Sequence, residues 1–360
     1  MSTINRMLML ALKEALQIVR DRATLGMVLG VPLLQFTLFG FAVELTPHTL
    51  SVTVVASQGE RAARIERWLK SESFGARVSR APSLEYAQDR LRRGETLVVV
   101  DANRHPALLY VDATDPVLYL HAKAAIDRAV RSLAAPADEE EESARAVRVV
   151  ELYNPGAQTQ PYLVSGLVGL ILTMTLVMMS ALTLARERER GSLESLLALR
   201  VRPLELCIGK LTPYLLLGLL QGALILALAR LAFEIPLRGS LALIAAAAAV
   251  FAAANLSLGF LFSSLARVQM QAMQMTFFFF LPSSLLSGFM FPFSAMPTWA
   301  QALGEALPLT HFLRIIRGVT LRNVDTGYVV GELVPIAAFV LVAGFAAVLS
   351  CRRALRAGPA

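Results

Sequence analysis

Chemistry in this chain could come only from four histidines, two cysteines and a scatter of charged residues. His48, His105, His121 and His311 share no H-E-x-x-H or other ligand spacing, so each reads as a surface or helix-packing residue. Gly209-Lys210 is followed by Leu211 and lacks the upstream glycine of a phosphate-cradling G-x-x-x-x-G-K-[ST] loop. No Ser-His-Asp order accompanies a nucleophile elbow. Cys207 and Cys351 both fall outside the large segment 44–160, which has no cysteine and so can hold neither a disulfide framework nor a thiolate metal site. The expectation is therefore a chain with no catalytic, cofactor-binding or metal-binding residues of its own.

What remains is docking chemistry, and it is concentrated in ARERERGSLESLLALRVRPLELCIGKLTPY, Ala185 to Tyr214. Arg186, Arg188, Arg190, Arg200, Arg202 and Lys210 alternate there with Glu187, Glu189, Glu194 and Glu205, between two long apolar runs. Lys and Arg beside spanning helices are retained on the cytoplasmic side, which makes this loop cytosolic. Gly191 is a good stop for the incoming helix, Ser192 a good N-cap for a new one, and Pro203 a good first residue for a third. Leu193, Leu196 and Leu197 recur at i, i+3 and i+4, giving one apolar face on a helix of about two turns. Such a helix across the mouth of two spans is a docking surface. The alternative is a solvated turn whose leucines rest on the lipid interface.

The elements that hold this loop follow from composition. The chain has 360 residues, 56% hydrophobic and 17% charged, with a net charge of +7. Apolar residues arrive in blocks of span length, so the chain is an α-helical polytopic membrane protein. The excess charge lies beside the spans and needs no nucleic acid to explain it. Residues 1–22 read as an interfacial helix on the inner leaflet and 23–43 as a first, retained span. Residues 44–160 have the composition of a soluble unit, with strands at LSVTVVAS, ARVSRA, TLVVVD, ALLYVD and 147–153. Helices between them fall at ERAARIERWLKSES, LEYAQDRLRRGE and VLYLHAKAAIDRAVRSL. This predicts a small α/β extracytoplasmic domain inserted between the first and second spans, with PADEEEES at 136–143 as a solvated linker.

Five more apolar runs, Pro161–Ala185, Leu211–Ala229, Gly239–Leu265, Met275–Phe293 and Glu332–Cys351, bring the expected total to six spans within 161–351 and the first run. An even number places both termini on one side, and Arg352, Arg353 and Arg356 in the tail 352–360 make that side cytoplasmic. The outer connection 294–331 is amphipathic and broken by Pro297 and Pro308, which reads either as short re-entrant helices or as a plain outer loop. The spans carry no Asp, Glu, Lys or Arg near their midpoints, which argues against self-powered antiport. Their polar residues are mild. Gln35, Gln221, Asn255, Ser283, Ser284 and Ser287 are candidates to line a pathway, or to hydrogen-bond between helices.

These stretches carry a resemblance. ARERERGSLESLL with LELCIGKLTPY is similar to the cytoplasmic connection of type-2 ABC exporter permeases. QMQAMQMTFFFFLPSSLLSGFMFPFSAMPTWAQALGEALPLTHFLRIIRGVTLR resembles the same family more closely, and ELYNP at Glu151–Pro155 also fits. One departure is Arg200-Val201, where relatives often have Thr-Pro. The resemblance implies a half-transporter of the bacterial six-span branch, related to multidrug and drug-resistance export permeases. Two permease chains, identical or paired with a sister, would sit on separate ATP-binding subunits that hold the ATP and Mg. Ser192, Leu193, Glu194, Leu196 and Leu197, with Arg190, would form the coupling helix and its flank. An amphipathic drug-like molecule or lipid would leave between the bundles, and a periplasmic adaptor protein would be a further partner. A rival reading is a mechanical module that passes ATP-driven motion to a periplasmic partner with nothing crossing the bundle.

Overall fold

The computed structural model describes residues 3–20, 50–55, 76–104, 107–133, 147–191 and 202–356. The expected first span at 23–43, the helix at 60–73, the acidic linker at 136–143 and the coupling helix at 192–199 lie outside the described residues.

Helix α1 (Thr3–Arg20) leads to a sheet built from β1 (Leu50–Val55), β2 (Ala76–Ala81), β3 (Val98–Asp101), β4 (Ala107–Asp112) and β5 (Val147–Leu152). The order β2-β1-β3-β4-β5 is mixed, with only β3 and β4 antiparallel. The strands are rich in valine and leucine because both faces are covered. Helix α2 (Leu84–Arg92) covers one face with Ala87 and Leu91, packed on Val55, Ala81 and Val99. Helix α3 (Pro116–Leu133) covers the other with Tyr119, Ala122, Ala125 and Ile126, packed on Leu50, Val52, Val98 and Leu109. The Ser83 hydroxyl caps α2 by accepting from the Tyr86 amide at 3.2 Å.

The rest is helical. Helices α4 (Thr159–Glu189), α5 (Pro203–Phe233), α6 (Leu241–Leu265) and α10 (Thr326–Arg356) contain the four candidate membrane spans among the described residues. At 31 residues, α4 is about 46 Å long, which exceeds the apolar thickness of a bilayer. It is also the most enclosed, with 89% of its apolar window buried against α5, α6 and α7. Helix α7 (Gln269–Leu286) runs 18 residues and is not among those four. The apolar run expected at Met275–Phe293 is therefore shifted: glutamines 269, 271 and 274 open the helix, and Gly288, with φ of +83°, follows its end at Leu286. At the other boundary, α10 carries on through Arg352 and Arg353 to Arg356, so much of the expected tail is helix.

Between α7 and α10 the chain forms α8 (Thr298–Glu305), α9 (Pro308–Arg317) and one π turn, Gly318–Arg322. Within the expected outer connection 294–331 the chain therefore contains short helices. Helix α9 is enclosed by protein along most of its length, and Phe312 stacks on Phe251 of α6 with ring centroids 4.2 Å apart.

Candidate functional site

The charged end of the bundle is where α4 stops and α5 starts. Gly191 takes φ of +68°, the left-handed conformation that ends a helix at little steric cost, as its position in the sequence suggested. The sequence reading took the charges at residues 186–190 as marks of a cytosolic loop, with Arg190 alone placed beside the coupling helix. The structure assigns three of their side chains to three neighbours. Glu187 Oε1 accepts from Lys210 Nζ of α5 at 2.7 Å, with side-chain exposures of 9% and 2%. The same oxygen lies 3.5 Å from Lys13 Nζ of α1. Arg188 donates to the Ala266 carbonyl in the turn between α6 and α7. Glu189 accepts from the backbone amide of Gln269 at 2.6 Å and from its side chain, at the start of α7. The last turn of α4 thus clamps α1, α5 and the α6–α7 turn.

Two further contacts tighten the clamp. Ser263 Oγ of α6 accepts from the Leu184 amide at 2.7 Å and the Ala185 amide at 3.2 Å. Gly209 lets α1 approach, since an added Cβ would lie 3.0 Å from Leu10 Cβ and 3.1 Å from the Met7 carbonyl. Cys207, Cys351, Leu10, Leu184 and Phe260 form a small apolar cluster beneath the ion pair. At the start of α5 the Glu205 carboxylate reaches back to accept from the Arg202 amide at 3.3 Å, satisfying one of the free donors of the helix end.

Lys210, Glu187 and Lys13 were missed by sequence reasoning as a unit. Lys210 stood among loop charges, and nothing in a single sequence pairs it with a residue 23 positions earlier. Of the expected coupling residues, Arg190 caps the end of α4, while Ser192, Leu193, Glu194, Leu196 and Leu197 lie outside the described residues. The clamp holds both flanks of that connection.

The candidate pathway residues are spread over three helices, and Gln35 lies outside the described residues. Gln221 Oε1 of α5 accepts from Thr175 Oγ1 of α4 at 2.9 Å, a bond between helices. Asn255 Nδ2 donates back to the Phe251 carbonyl at 3.0 Å, and its Oδ1 is buried without a partner. Ser284 and Ser287 bond to carbonyls of their own helix, and Ser283 Oγ is buried and unpaired. Among the described residues no group of three or more His, Cys, Asp or Glu side chains could hold a metal ion.

A second polar cluster joins α9 to α10. His311 Nδ1 lies 2.6 Å from Glu332 Oε2, and Nε2 lies 2.9 Å from the Glu305 carbonyl. Arg314 bridges Glu305 and, at 3.6 Å, Glu332. Burial works to lower the His311 pKa, but the Glu332 carboxylate and the Glu305 carbonyl carry it above its ordinary value.

Comparison with known proteins agrees with this architecture. The profile of the family described as ABC-2 family transporter protein matches residues 22–349. The probable multidrug ABC transporter permease YbhR of Escherichia coli is 33% identical over 201 residues, 56% of this chain and 55% of its own, so that match spans about half the relative's length. The probable multidrug ABC transporter permease YbhS of Escherichia coli is 28% identical over 362 residues, covering 96% of both chains. The ABC transporter G family member 20 of Dictyostelium discoideum is 29% identical over 175 residues, 49% of this chain and 24% of its own. With the family profile spanning nearly all of its helices, the chain belongs to the ABC-2 family of transporters, as a type-2 ABC permease.

Proposed function

We propose that this chain is the transmembrane half of an ATP-driven exporter in the bacterial inner membrane, with both termini cytoplasmic and the sheet domain outside. A separate ATP-binding subunit holds ATP and Mg, and docks on the Ser192–Leu199 connection through Leu193, Leu196 and Leu197. The observation that carries this reading is the clamp around Glu187. A docking segment can drive spans only if its ends are fixed to them, and here both ends are. Glu187 and Lys210 join the two flanks directly, and Lys13, Ala266 and Gln269 spread the attachment to α1 and the α6–α7 turn.

The substrate in this reading is an amphipathic or hydrophobic molecule, a drug-like compound or a lipid. It leaves the cytoplasm or the inner leaflet between two permease copies, identical or sister chains. Gln35, Gln221, Asn255, Ser283, Ser284 and Ser287 are the proposed lining, because the spans offer mild polarity and no midpoint charge. A periplasmic adaptor protein is a further proposed partner. The second reading, a mechanical module that moves an outer partner without passing substrate, is favoured by one observation. The sheet domain is joined to the bundle by an ion pair between buried Asp112 and partly buried Arg322, at 2.7 Å.

The test of the shared premise is nucleotide handling. The purified chain alone should bind no ATP, and hydrolysis should appear only after an ATP-binding subunit is added. Saturable binding of ATP by the isolated chain would contradict a half-transporter.

A further inference from the structure

The π turn Gly318–Arg322 touches three parts of the molecule at once. It continues α9 directly, and its last residue, Arg322, reaches into the sheet domain. Arg322 Nη2 lies 2.7 Å from Asp112 Oδ2 at the end of β4, and its Nε donates to Thr114 Oγ1 at 3.3 Å. Gly94, in the turn between α2 and β3, makes room for this guanidinium. Its φ is +75°, and an added Cβ would lie 2.3 Å from Arg322 Nη1. The Asp112 carboxylate is itself fixed, since Oδ1 accepts from the Thr114 amide at 2.8 Å.

One turn earlier a second pin is made. The Arg317 guanidinium lies 3.8 Å from the centre of the Tyr162 ring at the start of α4, and Nη1 donates to the Gly288 carbonyl after α7 at 3.0 Å. The Tyr162 hydroxyl also donates to Gly288, at 3.3 Å. Asp115, beside Tyr162 and Arg317, accepts from the Val117 and Leu118 amides and so caps α3 of the sheet domain. Arg317 Nε and Nη2 are buried without a hydrogen-bond partner.

A cavity of about 520 Å³ flanks the Arg322 pin, lined by residues that include Arg77, Glu95, Asp115 and Gln301. On its bundle side the π turn is tight: Arg238 donates to the Thr320 carbonyl at 3.3 Å, and a Cβ on Gly239 would lie 2.6 Å from the Val319 carbonyl. A π turn strains the helical ladder and is found mostly where a protein uses the irregularity.

We propose that the segment Arg317–Arg322 is the lever through which bundle motion reaches the sheet domain, with Asp112–Arg322 and Asp115–Tyr162–Arg317 as its two pins. The proposal rests on the reading that the bundle is driven by ATP, and it holds whether or not a substrate passes. Arg317, Arg322, Asp112, Asp115 and Tyr162 are positioning residues: they set where the sheet domain stands for each state of the bundle. The cavity gives the joint room to rotate, and the tight contacts of the π turn with Arg238 and Gly239 keep its other end fixed to the bundle.

The experiment uses spin-label distances in the full chain, reconstituted with its ATP-binding subunit, in a background with Cys207→Ala and Cys351→Ala. One label pair, Leu120→Cys with Leu216→Cys, joins the sheet domain to α5; both positions are exposed. A control pair, Leu216→Cys with Leu341→Cys, reports motion within the bundle. A non-hydrolysable ATP analogue should shift both distance distributions. In Arg322→Ala, and in the near-isosteric Asp112→Asn that keeps an acceptor for the Thr114 amide, the bundle pair should still shift. The sheet-domain pair should lose at least half of its shift. An undiminished sheet-domain shift in both variants overturns the lever, as does a parent protein whose bundle moves while the sheet domain stays. A silent bundle pair in the parent instead refutes the ATP-driven reading, and the lever falls with it.

Discussion

Glu187 and Lys210 meet at 2.7 Å where the connection between α4 and α5 begins and ends, and both side chains are almost wholly withdrawn from solvent. A buried ion pair of this kind is weak evidence of net stabilisation, because desolvating two charges offsets much of their attraction. Breaking it is another matter, since each buried group then loses its nearest opposite charge, Glu187 keeping only the more distant, half-exposed Lys13 at 3.5 Å. Glu187→Leu or Lys210→Met alone should destabilise the chain by about 3–5 kcal/mol. The double variant should recover most of that loss. Thermal unfolding in detergent checks this, and a double variant as unstable as the singles would contradict direct pairing.

The packing of α4 on α6 makes a sharper steric prediction. A Cβ on Gly259 would lie 2.0 Å from Ser180 Oγ and 2.3 Å from the Val177 carbonyl, which is backbone and cannot yield. At Gly222 the nearest neighbour is Leu172 Cδ1 at 3.5 Å, an ordinary contact. Gly259→Ala should therefore cost about 1–3 kcal/mol by overpacking. Gly222→Ala should be neutral or slightly stabilising, because alanine favours the helix by about 1 kcal/mol over glycine. Melting temperatures of the two variants, measured side by side, decide it.

His311 gives the chain a pH dependence with a definite sign. Both ring nitrogens face acceptors, the Glu332 carboxylate and the Glu305 carbonyl, and only the doubly protonated ring can donate to both. Glu305, Arg314 and Glu332 are the charged groups around it, on α8, α9 and α10. Burial opposes protonation, but the two acceptors prevail and raise the pKa above 6.5. The stabilisation is therefore fully present below pH 6.5 and is lost as pH rises through the raised value. Unfolding temperature should fall over that interval in the parent, and His311→Gln should flatten the fall. A parent stability that rises with pH across the interval would contradict this.

Much of the fold was legible because its signals are local. Span-length apolar blocks marked α4, α5, α6 and α10, alternation marked β1, and short apolar runs joined by turn residues marked β3 and β4. Gly191 and Pro203 bounded the connection correctly because helix termini are written in a few adjacent residues. Helix α7 was shifted because its first turns are glutamine-rich yet helical, while FMFPF beyond it is apolar yet turns at Gly288. The site was less legible. Glu187 with Lys210, Asp112 with Arg322, and His311 with Glu332 are separated by 23, 210 and 21 positions, and only the folded chain brings them together. Asp112 and Arg322 lie at the ends of their elements, and Lys210 and Glu332 lie within the second turn of long apolar helices. Gln221 met another helix through Thr175, the packing role weighed beside the pathway role from the start.

The central claim is that the Ser192–Leu199 connection docks an ATP-binding subunit. Leu193, Leu196 and Leu197 would form a buried apolar anchor, with Glu194 on its rim. Truncating such an anchor costs on the order of 2 kcal/mol or more, a loss of affinity of about thirtyfold. Leu196→Ala should weaken co-purification of the subunit, and Leu196→Asp should abolish it, while the chain still inserts and resists proteolysis. Glu194→Lys should weaken the complex mainly at low salt, since a rim charge acts through association rate and screening. Recovery of the ATP-binding subunit with Leu196→Asp, compared with the parent at two salt concentrations, is the most direct measurement. The account predicts that the subunit is lost at both; undiminished recovery would place those leucines on lipid and contradict it.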